Sequence, residues 1–295
     1  MIKYGIRLFL YFSLILFFGV GASFSAQDIS IQHSGLVLHG KLSVPNNKKL
    51  TDGIILVVHG TLAHNEMETI KNLTIVLNER GLSTLAINLS LGITDRRGMY
   101  DCKILHRHKH TDALDEIRGW LSWLKSKDVK SIILMGHSRG GNQVARFASK
   151  IGDKSLTHLI LLAPSTWDAA SAQTRFETLH KHPLKTALET AETLLKKDTG
   201  DAIMPGIGIL FCPKADSTVA SFVSYYSPDR RHDTPSILPE IIIPTLVIAG
   251  GRDTVVKNLI SKVKATVDRQ KLQLKIIDDA DHFFLDLFAE DVADA

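Results

Sequence analysis

Short hydrophobic runs alternate along the chain with longer segments whose hydrophobic positions recur at the spacing of a helix. Short apolar runs bounded by turn residues are typical of strands that are buried on both faces. These runs occupy residues 53–58, 82–89, 131–135 and 156–163. The predicted helices between them occupy residues 67–80, 104–127 and 139–150. This alternation predicts an α/β fold with a mostly parallel, doubly wound sheet and helices on both of its faces.

The two ends of this series follow a different pattern. Residues 29–44 alternate weakly between apolar and polar positions and contain two glycines, which predicts an antiparallel pair of strands. Near the C-terminus the predicted strands are residues 241–249 and 272–277, and the predicted helices are residues 254–268 and 283–291. We therefore expect one α/β domain over residues 26–295.

The alternation breaks at Pro164 and resumes only with the predicted strand at residue 241. Eight of the nine prolines lie between residues 164 and 244, yet this segment also contains an apolar run at 203–213 and a helical stretch at 183–197. It is too long for an ordinary strand-to-helix connection and too apolar for a linker. We expect residues 164–240 to form a helical cap inserted between the sixth and seventh strands of the sheet.

The first 25 residues have the layout of a secretory signal peptide. Lys3 and Arg7 precede an uncharged apolar run at 8–20, and small residues follow as far as Ala26. We expect cleavage near Ser25 and a periplasmic or secreted protein with no membrane span after cleavage. The alternative is an uncleaved anchor, although the apolar run is shorter than the ~20 residues of a typical spanning helix.

The composition limits the classes of partner that we expect, and the two cysteines leave open whether a disulfide forms. The formal net charge of +4 is too small to indicate nucleic-acid binding, and the basic residues are scattered apart from a short run at 106–110. The chain has two cysteines, Cys102 and Cys212, in neither a metal-type nor a redox-type spacing. In an exported protein they form a disulfide or stay as two buried thiols.

The stretch Gly-His-Ser-Arg-Gly at 136–140 carries the strongest chemical signal. It follows a predicted strand and opens a predicted helix, which is the context of a nucleophile elbow. In such an elbow a strained turn exposes the serine, and small residues two positions before and after it allow the strand and the helix to approach. We therefore expect Ser138 to be a nucleophile, against the alternative of a plain glycine-rich turn.

A serine hydroxyl needs a histidine base and an acid that orients the base. In doubly wound sheets such groups lie at the carboxyl ends of strands. Asp253 follows the predicted strand at 241–249, and His282 follows the last predicted strand. Asp253 has the alternative of a helix N-cap, and Asp168, after the sixth strand, is the alternative acid.

The elbow and the order Ser138, Asp253, His282 resemble the α/β-hydrolase superfamily over residues 28–295. The resemblance implies that Ser138 is the nucleophile, His282 the general base and then acid, and Asp253 the orienting carboxylate. It implies no metal and no other cofactor.

The same resemblance implies an oxyanion hole made of backbone N–H groups. One donor is Arg139, directly after the nucleophile. The other lies in the loop His59-Gly60-Thr61, with Thr61 as first choice and Leu62 as second, while His59 itself is structural. We also expect Leu62 and His137 to contact substrate.

The predicted function is that of an exported serine hydrolase that cleaves a small-molecule carboxylic ester through an acyl-enzyme. Aminopeptidase, thioesterase and lipase activities, and a cofactor-free haloperoxidase-like activity, are alternatives on the same fold, because one fold supports many chemistries. A non-catalytic exported binding protein on this scaffold is the alternative from another class.

Two further patterns have structural explanations. The run at 106–110 contains three alternating histidines, which would suggest a metal site, but no Cys or acid cluster completes one. We interpret it as the basic, solvated or cap-contacting start of a helix. The cap is rich in aromatic residues, most of them expected in its core and one or two in an acyl pocket. They are Trp167, Phe176, Phe211, Phe222, Tyr225 and Tyr226.

Overall fold

A computed structural model describes residues 24–150, 153–266 and 271–295. The predicted leader lies outside these ranges except for Phe24 and Ser25, which are the first residues of the first strand. No helix within the described ranges is long and apolar enough to cross a bilayer.

Within the described residues the main sheet consists of β1 Phe24–His33, β2 Leu36–Pro45, β3 Ile54–Val58, β4 Thr84–Asn88, β5 Ile132–His137, β6 Leu156–Leu162, β9 Thr245–Gly250 and β10 Leu272–Ile277. The order of these eight strands in the sheet is β1-β2-β4-β3-β5-β6-β9-β10. The pairs β1–β2 and β2–β4 are antiparallel and the remaining pairs are parallel. Every residue of β3 and β4 is buried, as expected for central strands covered on both faces.

The helices of the described residues are α1 Glu68–Glu79, α2 Asp112–Ser126, α3 Arg139–Lys150, α4 Ala169–His180, α5 Leu184–Leu195, α6 Val219–Tyr226, α7 Thr234–Ile237, α8 Leu259–Thr266 and α9 Leu287–Asp294. Helices pack on the sheet and against one another, α1 on α9 and α2 on α3. The predicted α/β-hydrolase fold, with its mostly parallel sheet, is confirmed.

The segment between β6 and β9 contains α4 to α7 and a two-stranded ladder of β7 Ile203–Met204 and β8 Ser217–Thr218. It has a hydrophobic core of its own, in which the rings of Phe176 and Phe222 meet edge to face. A second cluster joins this cap to the loops of the body and includes Leu62, Tyr100 and Tyr225. The cap is therefore a packed layer over the carboxyl edge of the sheet.

The predicted helix at 104–127 is wrong over its first third, because α2 begins only at Asp112. The preceding segment is extended and pairs with the cap. The His106 N–H donates to the Asp216 carbonyl at 3.0 Å, and the Thr218 N–H donates to the His106 carbonyl at 2.8 Å. Long-range hydrogen bonds thus take the backbone groups that a helix would have used.

Three other predicted boundaries shift. Helix α8 begins at Leu259 instead of residue 254, and the last part of the prediction, 267–268, lies outside the described residues. Helix α9 begins at Leu287 instead of residue 283. Strand β9 begins at Thr245, directly after Pro244, because a proline cannot donate to the ladder inside a sheet.

A disulfide between Cys102 and Cys212 links the body to the cap. The two residues are 110 positions apart in sequence, and their Cα atoms are 5.2 Å apart. The bond lies in the cluster that joins the cap to the body, where Cys212 is fully buried. It constrains the cap at the same junction as the paired segment around His106.

The alternating histidines belong to this junction and are buried rather than solvated. His106, His108 and His110 are at most 2 % exposed, and His232 of the cap packs its ring 5.1 Å from that of His110. The His108 Nδ1 and the Tyr225 hydroxyl are 2.8 Å apart. Within the described residues no group of three or more potential ligands is arranged to hold a metal ion. Their common role is contact between the cap and the body.

Burial also sets the protonation of these histidines. It lowers the pKa of His106 and His232 to about 4 and that of His108 to about 3. For His110, burial and the neighbouring Arg139 charge put the pKa well below its usual value. The folded protein therefore holds all four side chains neutral at pH values where an unfolded chain would protonate them.

We predict that stability falls as the pH falls from about 6.5 towards about 4, because in that window the unfolded chain binds protons that the folded protein excludes. Each such histidine adds ~1.4 kcal/mol per pH unit to the slope of the free energy of unfolding. Urea denaturation between pH 7.5 and 5 measures this slope. His106→Gln should reduce the slope by the equivalent of about one proton, because it removes one histidine that only the unfolded chain protonates in this window. Neither ring nitrogen of His106 has a hydrogen-bond partner within the described ranges, so the substitution breaks no side-chain hydrogen bond.

The control is His158→Gln, which removes an exposed histidine. It should leave the slope unchanged. If the free energy of unfolding varied with pH by the same slope in the wild type and the His106 variant, burial at the junction would not control the protonation of His106.

Candidate active site

The backbone at Ser138 forms a turn of one residue between β5 and α3. Its φ of 56° lies in the left-handed region, which non-glycine residues rarely adopt. A Cβ at Gly136 would lie 2.4 Å from the Gly140 carbonyl oxygen, and one at Gly140 would lie 2.3 Å from the His59 carbonyl oxygen. Only glycine fits at either position, so the sequence Gly-x-Ser-x-Gly is what allows this close approach of strand and helix.

The three residues predicted as a triad are brought together in a chain of hydrogen bonds. Ser138 Oγ lies 2.9 Å from His282 Nε2, and His282 Nδ1 lies 2.8 Å from Asp253 Oδ2. The side chains of His282 and Asp253 are 6 % and 4 % exposed. We call this series of hydrogen bonds, from Ser138 through His282 to Asp253, the Ser138 relay. In it the serine hydroxyl donates to Nε2 and the Nδ1–H donates to the carboxylate, the arrangement in which histidine can accept the serine proton.

Asp253 satisfies both of its carboxylate oxygens. Oδ2 binds His282, and Oδ1 accepts the N–H groups of Val255 and Val256 at 2.7 and 3.0 Å. Burial alone would raise the pKa of Asp253, but the hydrogen bonds from His282 and these backbone groups outweigh it and leave the pKa below its usual value. The carboxylate is therefore ionised at neutral pH. Asp253 thus caps a turn. This turn occupies the residues after 253, where a helix was predicted to begin at residue 254.

The loops that carry Asp253 and His282 approach each other closely. A Cβ at Gly251 would lie 2.1 Å from the Asp278 carbonyl oxygen, so glycine is required there as well. The Gly251 N–H donates to the Ile277 carbonyl at the end of β10. Adjacent parallel strands thus deliver acid and base from the same edge of the sheet.

Asp168, the alternative acid, has a different role. Its side chain accepts the N–H of Ser171 at 2.8 Å and caps the N-terminus of α4. His282 Nδ1 is already bound to Asp253. The structure therefore places Asp168 in the cap and outside the relay.

Thr61 and Arg139, the two predicted oxyanion residues, touch each other. The Arg139 Nε–H donates to Thr61 Oγ1 at 3.0 Å. Within the described ranges neither backbone N–H donates a hydrogen bond to another residue. His59 fixes the Thr61 loop: its Nδ1–H donates to the Gly60 carbonyl at 2.8 Å, and its Nε2 accepts the Leu89 N–H at 3.1 Å. The loop is thereby held in place, and the N–H groups of Thr61 in the loop and Arg139 at the start of α3 remain available as oxyanion donors.

Leu62 and His137, both predicted to contact substrate, have buried side chains. The Leu62 side chain is 5 % exposed and packs in the cluster that joins cap and body. His137 is 2 % exposed, and its Nε2–H donates to the His282 carbonyl at 2.9 Å. Burial and the nearby His282 charge lower the pKa of His137 to about 4, so the ring stays neutral. It is a positioning residue for the loop of the relay histidine.

A cavity of about 110 Å³ opens between the cap on one side and Thr61 and Arg139, the residue that follows the nucleophile, on the other. Ser138, His282 and Asp253 are not among its described lining residues. For comparison, a 150 Å³ cavity holds benzene, so this one suits a small acyl or aryl group. Five of the six cap aromatics line it, namely Trp167, Phe176, Phe211, Tyr225 and Tyr226. More of the cap aromatics than predicted therefore face the candidate binding space.

Several cavity residues escaped the sequence analysis. They include Ser165, Thr166, Arg175, His180 and His232. No motif surrounds them, and their position depends on how the cap folds over the body. The only signal in the sequence was the unusual length and apolar content of the cap segment.

Comparisons with known proteins agree with this architecture. A sequence model of the alpha/beta hydrolase family matches residues 55–295. The esterase EstD from Thermotoga maritima is 24% identical over 275 residues, a match that covers 89% of this chain and 61% of EstD. The chain thus spans less than two thirds of the length of that relative.

Solved structures with the same fold include two esterases. Est1E from Butyrivibrio proteoclasticus, with bound ferulic acid, superposes with a TM-score of 0.64 at 20% identity, covering 90% of this chain and 95% of Est1E. The Pyrococcus furiosus esterase Pf2001 superposes with a TM-score of 0.57 at 17% identity, covering 92% of this chain and 88% of Pf2001. At these identities the likeness establishes the fold. With the family match over most of its length, the chain belongs to the alpha/beta hydrolase family.

Proposed function

We infer that the protein is a serine hydrolase that cleaves carboxylic esters through an acyl-enzyme. The observation that carries this proposal is the Ser138 relay, with 2.9 Å from Oγ to His282 Nε2 and 2.8 Å from Nδ1 to Asp253. The esterase names of EstD, Est1E and Pf2001 favour an ester over an amide or thioester.

Acylation begins when Ser138 Oγ attacks the ester carbonyl carbon. The hydroxyl proton passes to His282 Nε2, and the ionised Asp253 stabilises the imidazolium that forms. The carbonyl oxygen becomes an oxyanion that accepts hydrogen bonds from the N–H groups of Thr61 and Arg139. Because these donors are fixed on a rigid loop and a helix N-terminus, they stabilise the charge without reorganising.

Collapse of this intermediate breaks the bond to the alcohol oxygen, which takes the proton from His282 Nε2 and leaves. Water then donates a proton to His282 and attacks the acyl carbon. The carboxylic acid departs as Ser138 regains its proton. His282 thus serves first as base and then as acid in each half of the reaction.

The first prediction for this function concerns the nucleophile. Ser138→Ala should lower kcat for a 4-nitrophenyl ester by at least ~10⁴-fold while the protein stays folded, since the attacking oxygen is gone. Steady-state hydrolysis of 4-nitrophenyl hexanoate with circular dichroism as a folding check measures this. Residual turnover within tenfold of the wild type would contradict the assignment, and a wild type inert towards esters would favour the non-catalytic binding protein.

A second prediction separates the two acids. Asp253→Asn should lower kcat by ~10³–10⁴-fold, because an amide cannot stabilise the imidazolium and favours the wrong histidine tautomer. Asp168→Asn is the matched control. It should leave kcat within a few-fold of the wild-type value, since it only weakens the hydrogen bond that caps the N-terminus of helix α4. Reversed effects would mean that Asp168 is the relay acid.

Export is the third part of the proposal. Lys3, Arg7 and the apolar run at 8–20 support a cleaved leader, and the Cys102–Cys212 disulfide suits an oxidising compartment. Protein purified from the periplasm or the medium should begin near Ala26 and show no free thiol when it is denatured without reductant. A product that begins at Met1, or one with two free thiols, would contradict the proposal.

A further inference from the structure

Two arginines line the cavity between the cap and the body. Arg139 begins α3, and its guanidinium carbon lies 5.3 Å from the centre of the Tyr225 ring. Its Nε–H is used by Thr61 Oγ1. Within the described ranges its terminal amino groups make no hydrogen bond and no carboxylate forms an ion pair with it, so their N–H groups are available to a ligand in the cavity.

Arg175 approaches from the cap. It lies on α4 with an exposed side chain, and its one hydrogen bond within the described residues is a 3.4 Å contact from Nη2 to the Val255 carbonyl. Burial lowers the pKa of Arg139, and the charge of Arg175 acts in the same direction. The positive charges of the two arginines therefore repel each other.

The cavity contains too little negative charge to balance them. Asp168 is the one acidic residue among its described lining residues, and its carboxylate already caps α4 through Ser171. The two lining histidines, His180 and His232, add no further positive charge at neutral pH, since burial lowers the pKa of both. A buried guanidinium without an anion is costly, and stacking on Tyr225 offsets only part of that cost.

We propose that Arg139 and Arg175 bind a carboxylate on the acyl part of the substrate, so that the preferred ester is a monoester of a dicarboxylic acid. This inference rests on the proposed ester hydrolysis and adds the class of substrate. The planar fork of an arginine matches both oxygens of a carboxylate, which makes the interaction selective as well as attractive.

The position of Arg139 assigns the carboxylate to the acyl side. Its backbone N–H is the proposed oxyanion donor, and its side chain contacts Thr61, which carries the other donor. Thr61 and Arg139 line the cavity from the body and Arg175 lines it from the cap, so the acyl part of an ester held by these donors would enter it. An acyl chain of a few methylene groups can rest on Tyr225 and Phe176 while its far end reaches the two cations.

The test compares two esters that differ in one terminal group. 4-Nitrophenyl hydrogen adipate and 4-nitrophenyl hexanoate have the same leaving group and the same number of acyl carbons. After subtraction of the rate without enzyme, kcat/KM for the adipate should be at least about tenfold higher, the value of one charge-assisted hydrogen bond. A second pair, 4-acetoxybenzoate and its methyl ester, places the carboxylate on the alcohol side instead and should show no such preference.

Two variants locate the preference. Arg175→Glu and Arg139→Gln should each reduce the adipate-to-hexanoate ratio about tenfold or more, with the change mainly in KM for the adipate. Arg175 is exposed, so its substitution does not endanger folding. Arg118→Gln is the matched control, because it removes one positive charge from the exposed face of α2 and should leave the ratio as in the wild type.

The outcomes separate this inference from the proposed function. Hexanoate cleaved by the wild type but not by Ser138→Ala, with an adipate ratio near or below one, overturns the carboxylate site and leaves the esterase standing. A preference confined to the alcohol-side carboxylate overturns the acyl-side assignment. If the wild type cleaves none of the four esters, the proposed function fails and this inference fails with it.

Discussion

The left-handed backbone of Ser138 is the constraint on which the site depends. With a φ of 56°, this residue ends β5 and begins α3 in a single step, and the hydroxyl projects from the carboxyl edge of the sheet. The turn exists because Gly136 and Gly140 permit backbone contacts that any Cβ would block. Local strain of this kind persists only when the surroundings determine it strongly, and β5, a central strand in which only Ile133 is not fully buried, provides that support.

The rest of the site is arranged around this point by the parallel sheet. Strands β9 and β10 end at the same edge, where Asp253 is within hydrogen-bond reach of His282 and His282 is within hydrogen-bond reach of the serine. His137, next to the nucleophile, holds the carbonyl of His282 and so links the elbow to the loop that carries the base. The same residues that shape the turn therefore also set the position of the histidine.

The cap adds a second constraint of a different kind. It is joined to the body by the Cys102–Cys212 disulfide, by the extended segment around His106 and by a shared hydrophobic cluster. Aromatic rings and Arg175 of the cap line the cavity, across from Arg139 of the body. Attachment at this junction holds the cap side of the cavity, which forms most of its lining, against the body that carries the relay.

The fold and the relay were readable from the sequence because each has a local signature. The spacing of apolar residues and the length of the apolar runs identify the buried strands. The elbow motif, together with the order serine, aspartate, histidine, identifies the strand ends that meet. The segment before Asp112 was not readable, since its pairing with Ser217 and Thr218 is a long-range interaction that local spacing does not encode. For the same reason the hydrogen bond between His137 and the His282 carbonyl was not predicted, and no local pattern indicated that Arg175 lines the cavity.

The central claim is that the strained turn makes the Ser138 hydroxyl a nucleophile, and covalent labelling tests it most directly. The protein is treated with a fluorophosphonate, digested, and the modified peptide is identified by mass spectrometry. The account predicts one adduct per chain, located on Ser138, and its loss when the relay is broken by His282→Ala. An unmodified protein, or an adduct on a neighbour such as Ser165, would contradict it.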